Sequence, residues 1–95
     1  MIIKLEDFTI RIVNKSTNET LECRQIVNVT INQSTFDSHI GYTITAVDDL
    51  PKYAAENINL NRPNYEINLI YQEKIQPATF KHVAALAGKY TFLFD

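Results

Sequence analysis

Apolar and polar residues take turns along most of this chain, and that two-residue rhythm restricts its fold more than any other feature. Phe8, Ile10 and Ile12 alternate with Thr9, Arg11 and Val13. Cys23, Gln25, Val27, Val29 and Ile31 share one phase, and Glu22, Arg24, Asn28, Thr30 and Asn32 share the other, with Ile26 out of step. Ile40, Tyr42, Ile44 and Ala46 alternate with Gly41, Thr43 and Thr45. Tyr65, Ile67, Leu69 and Tyr71 alternate with Glu66, Asn68 and Gln72, with Ile70 out of step. Tyr90, Phe92 and Phe94 alternate with Thr91 and Leu93. Successive side chains of a strand point to opposite faces, so each stretch reads as a strand with one apolar and one wet side. The first spans 2–13, with a slip of phase at Glu6-Asp7 that predicts a bulge or break. The others span 21–32, 40–47, 65–73 and the chain's end. Polar loops at 14–18 and 33–39 are short enough to connect antiparallel neighbours.

Two stretches depart from this rhythm. In 77–88, Phe80, Val83, Ala84, Leu86 and Ala87 fall on one arc of a helical wheel, with Lys81, His82 and Ala85 on the other. Pro77 suits a first helical position and Gly88 suits the residue after a helix. This predicts a short helix running into the last strand. A second start lies at Asp48-Asp49-Leu50-Pro51, with Asp48 or Asp49 as N-cap and Leu50, Tyr53, Ala54 and Ile58 at helical spacing. The expected order is β-β-β-α-β-α-β. That is an α+β domain with one mainly antiparallel five-stranded sheet and one or two short helices. The C-terminal helix is expected to pack on the sheet, over a second apolar surface made by Ile26, Ile70 and Leu93.

At 95 residues, a single domain spanning 1–95 is expected. Hydrophobic residues make up 45% of the chain and charged residues 21%, which argues against disorder. The opening Met1-Ile2-Ile3-Lys4 has no signal-peptide pattern, and no run approaches the roughly eighteen apolar residues of a membrane span. A cytoplasmic location is expected, or a virion if the source is viral. The four Asn-x-Ser/Thr triplets, at Asn14, Asn18, Asn28 and Asn32, are then chance products of an Asn- and Thr-rich chain. The single cysteine, Cys23, permits no internal disulfide and is expected to be a buried, inert thiol. Net charge is −2 and the charges are scattered. Nucleic acid, which attracts a clustered basic patch, is an unlikely partner.

No catalytic pattern is recognisable. Adjacent Ser38 and His39 on an extended chain point apart and make no nucleophile–base pair. His39 and His82 lack converging metal ligands, and two distant glycines cannot form a phosphate loop. Asp48-Asp49 and Glu6-Asp7 are explained by capping and turn formation. The five tyrosines and five phenylalanines fall mostly on inward phases, which makes them core rather than a base-stacking platform. The chain is therefore expected not to be an enzyme, and to use no cofactor, metal or small-molecule substrate.

What remains is contact with protein. A five-stranded sheet has edges, and edges invite pairing with another chain. Phe36, Asp37, Arg62 and Asn64, in loops, are the interface candidates. In size and makeup the chain is similar to accessory proteins of phages and mobile elements, a likeness of style that no motif carries. The expected function is a component of a larger assembly, such as a virion part, that binds itself or another protein. The alternative is a stand-alone inhibitor that blocks a host enzyme or defence complex. A small enzyme or nucleic-acid-binding domain is a further alternative. An enzyme would show itself by Asp48, Asp49 and His39 meeting in a cleft.

Overall fold

A computed structural model describes residues 4–33, 40–51 and 53–95. Among them the chain forms β1 (Phe8–Asn14), β2 (Thr20–Cys23), β3 (Ile26–Gln33), β4 (Ile40–Ala46), α1 (Ala54–Leu60), β5 (Tyr65–Tyr71), β6 (Lys74–Ile75), β7 (Phe80–Leu86) and β8 (Lys89–Phe94). The slip of phase at Glu6-Asp7 is a 3-10 turn, Leu5–Asp7, packed against β3. A second such turn, Arg62–Asn64, leads into β5.

The strands build two four-stranded sheets, ordered β2-β1-β5-β6 and β3-β4-β8-β7. Every pairing is antiparallel. The expected single five-stranded sheet is therefore wrong. The inward residues of both sheets meet in one core. Phe8, Ile10, Ile12, Cys23, Ile67 and Leu69 come from the first sheet, and Ile26, Ile44, Ala46, Val83, Phe92 and Phe94 from the second. Ala54, Ala55 and Ile58 of α1 are buried in the same core. Burying a large aliphatic or aromatic side chain is worth about 1.5–3 kcal/mol, so these rows outweigh any single polar contact in the molecule.

The expected C-terminal helix is strand β7. Its register with β8 slips between Phe80 and His82, where Phe80 faces Phe94, His82 faces Leu93 and Val83 faces Phe92. The extra residue, Lys81, lets two side chains three apart both point inward. Phe80 and Val83 thus show helical spacing in the letters and lie on a strand in space. Gly88 does take a positive φ of 78°, but in a two-residue hairpin turn with Ala87 (φ 51°) rather than after a helix. The turn joins Leu86 to Lys89, a connection suited to the right-handed twist of paired strands.

The same device explains Ile26. The β3–β4 register slips between Ile26 and Asn28, which carries Ile26 inward beside Val29. Ile70 is buried on the outer side of the first sheet, opposite Ile75. Leu93 is on the outer side of the second sheet and 42% exposed. The three do not share a surface, and among the described residues no helix covers them. Among the described residues no helix is long and apolar enough to cross a membrane.

A candidate interaction edge

The sequence 21–32 reads as one strand, but the chain breaks at Arg24 and Gln25 and changes sheets there. Asp48 holds the break. Its Oδ1 accepts the Arg24 backbone N–H at 2.9 Å and its Oδ2 accepts that of Gln25 at 2.8 Å. The Val47 N–H donates to the Gln25 carbonyl at 3.0 Å. Asp48 is thus not a helix cap. Helix α1 starts six residues later, after Tyr53, whose left-handed backbone (φ 67°) carries no side-chain cap. The carboxylate instead satisfies two backbone donors that leave one ladder before the next begins, and so sets the direction of β3.

Cys23 precedes this clamp and is fully buried. Burial, and secondarily the negative charge of Asp48, push its thiol up to about 12. It stays protonated at neutral pH and has the inert character expected of it. Arg24 and Glu22 form an exposed ion pair at 3.1 Å, of a kind worth little in stability.

The second sheet ends in β3 on one side and β7 on the other. The β7 edge is closed by side chains. Asn59 of α1 accepts the Val83 N–H at 3.0 Å and donates through Nδ2 to the Val83 carbonyl at 2.6 Å. Arg62 donates through Nη1 to the carbonyl of Lys81, the bulge residue, at 2.7 Å. Among the described residues, although the Leu5–Asp7 turn packs against β3, no side chain caps the β3 edge in this way. It pairs only with β4, and it carries neither charge, proline nor glycine along its eight residues. Asn28, Thr30 and Asn32 are exposed on its outer face. Val27, at the bulge, is 47% exposed, and Ile31, although in the inward phase, is 44% exposed at the rim of the core. The edges of the first sheet are shorter, four residues in β2 and two in β6.

Of the interface candidates, Phe36 and Asp37 lie outside the described residues. Arg62 is committed to β7, as above. Asn64 donates to Asn14 Oδ1 at 3.0 Å and accepts from Ser16 Oγ, while its backbone carbonyl accepts from Lys15, tying the β1–β2 hairpin to β5. These two side chains hold the chain to itself. His39 also lies outside the described residues, and Asp49 and His82 are exposed. Among the described residues no three His, Cys, Asp or Glu groups are placed to hold a metal ion. A cavity of about 190 Å³ beside α1 is lined by apolar Ile12, Leu21, Ala54, Ile58 and Tyr65 and by polar Asn14, Glu19 and Asn57.

The β3 edge was missed in sequence because strand order depends on distant pairings. One signal for it is readable in the letters, namely the absence of any charge from Gln25 to Phe36. Natural edges usually carry a lysine, a proline or an inward charge to deter pairing. Comparison with protein-family models, with curated proteins and with solved structures finds no match for this chain.

Proposed function

We propose that this chain is a non-enzymatic assembly component that joins other chains by strand addition at β3. The carrying observation is the contrast between the two ends of one sheet: the β7 end is capped by Asn59 and Arg62, and the β3 end is uncharged and, among the described residues, has no such side-chain cap. Main-chain hydrogen bonds supply the affinity in such joining, and alternate side chains supply the selectivity. Here the alternate side chains are Asn28, Thr30 and Asn32 on one face and Val29 and Ile31 on the other. The Asp48 clamp fixes the course of the strand before any partner arrives, which lowers the ordering cost of binding.

The experiment is a comparison of two immobilised chains, the native one and the double variant Asn28→Lys/Asn32→Lys, in lysate of the source cells. Lysines on an edge strand deter strand addition and leave the exposed face soluble. Chains held by the native protein should be lost from the variant. An identical bound set on both would remove β3 as the joining edge.

A further inference from the structure

Five residues at the middle of β3 read Asn28-Val29-Thr30-Ile31-Asn32. Read backwards, the same run is Asn-Ile-Thr-Val-Asn, so it is nearly its own reverse. We infer that the partner of the β3 edge is a second copy of this chain, paired antiparallel about a two-fold axis through Thr30. This rests on the reading of β3 as the joining edge and names its occupant.

Two identical antiparallel strands related by a two-fold axis present residue i of one to the mirror position of the other. With the axis at Thr30, Thr30 meets Thr30 of the other copy, Asn28 meets Asn32, and Val29 meets Ile31. Thr–Thr pairs and aliphatic pairs are favourable across an antiparallel ladder. The amides of Asn28 and Asn32 can donate to and accept from each other. The pairing also keeps the faces consistent. The Asn and Thr pairs continue the polar outer face that Thr43, Thr45 and Thr91 already line in the register of β4 and β8. The Val29–Ile31 pairs continue the inner face and cover Ile31, now 44% exposed. No like charges are opposed, since β3 has none. A foreign strand could also be accommodated, but only a second copy makes use of the mirrored sequence. The product is a closed pair with one continuous eight-stranded sheet, whose outer ends are the two β7 edges that Asn59 and Arg62 already cover.

The test is mass in solution by size exclusion with light scattering across a dilution series. It uses the native chain, Thr30→Lys, Thr30→Glu and an equal mixture of the two variants. Thr30 is exposed on the outer face, so either substitution leaves the core untouched. The native chain should show twice the 10.9 kDa chain mass. Each variant opposes like charges at the axis and should fall to the single-chain mass, with circular dichroism and cooperative melting retained. The mixture opposes Lys to Glu and should return to double mass, and that recovery should weaken with salt. If the Thr30 variants fold poorly, Asn28→Lys/Asn32→Glu pairs each Lys with a Glu of the other copy and should stay at double mass, whereas Asn28→Lys/Asn32→Lys should not. A native chain at single mass throughout, or a double mass indifferent to Thr30→Lys, overturns the two-fold pairing. The first result leaves β3 open to a foreign strand and to the capture comparison. A capture pattern unchanged by the lysine pair would remove the edge itself.

Discussion

β3 and β7 are the two ends of one sheet, and they are built alike up to a point. Each contains a bulge near its start, and each bulge brings inward two side chains three residues apart, Ile26 and Val29 in one and Phe80 and Val83 in the other. They differ in what happens outside. A bulge leaves backbone groups without a ladder partner. At β7 Arg62 takes the carbonyl of the bulge residue Lys81, and Asn59 takes the edge-facing N–H and C=O of Val83, whose side chain sits 1% exposed. At β3 the polar support stands before the strand, in the Asp48 carboxylate, and among the described residues no side chain caps the strand's outer edge. Among the described residues, β7 is capped by side chains along its edge, and β3 is supported only at its start.

The largest expected break in this comparison is alkaline, and it falls on the β3 side. Cys23 ends β2 immediately before the clamp, and its thiol is raised from 9.0 to about 12 by burial and by Asp48. The folded state disfavours the thiolate. Its contribution is therefore whole below pH 9 and is lost as pH climbs from there towards 12. Three units correspond to as much as ~4 kcal/mol at the top of that window. The measurement is a difference between two chains, so that effects common to both cancel. Denaturation midpoints of native chain and Cys23→Ala, followed against pH, should converge above pH 9 as the native chain alone loses this contribution. Parallel curves would mean that the thiol does not sense the core.

Next come the two polar supports, taken as a pair. Asp48→Ala removes a charged acceptor from two backbone donors, at about 3 kcal/mol given that hydrogen bonds to charged groups are worth about 1.5–3 kcal/mol each. Asn59→Ala removes two neutral bonds from the β7 edge and should cost about 2 kcal/mol. Chemical denaturation ranks the two, and their effects on association separate them further. Loss of Asp48 misdirects β3 and should abolish the double mass. Loss of Asn59 leaves β3 intact, so the double mass should persist, while the Val83 amide should exchange faster with solvent. If Asn59→Ala also abolished the double mass, the two edges would not be independent.

The difference between these strands also explains what was legible in the sequence. The inward rows Phe8, Ile10 and Ile12, Ile67 and Leu69, and Phe92 and Phe94 were plain from alternation, because unbroken strands keep their period. β7 was misread because its bulge supplies the three-residue spacing of a helix, and Pro77 and Gly88 stood where helix ends would. The break between β2 and β3 was invisible because Cys23, Gln25 and Val27 keep phase across it, and the clamp comes from Asp48, more than twenty positions away. Which strand would be an edge depends on β4 pairing with β8 across the intervening α1, β5, β6 and β7, a choice no local pattern records. Arg62 and Asn64 have the loop position and chemistry of contact residues, and both make their contacts within the chain.

The smallest expected effect has the opposite sign and lies at the far end of β7. Ala87 holds a φ of 51° in the turn before β8, a region where an L-residue other than Gly or Asn is strained by ~1 kcal/mol. Ala87→Asn places Asn-Gly in that turn, the pair best suited to positive φ at both positions. The gain should be about 0.5–1 kcal/mol, and 1 kcal/mol corresponds to roughly 4–8 °C in Tm for a domain of this size. Gly88 has open space around it and Ala87 is exposed, so no packing change offsets the gain. Because the turn belongs to the closed edge, Ala87→Asn should raise Tm without altering the dilution at which the double mass is lost. A shift in that dilution would show that tightening β7 is felt at β3, across β8 and β4, and that the sheet responds as one body rather than as two separate edges.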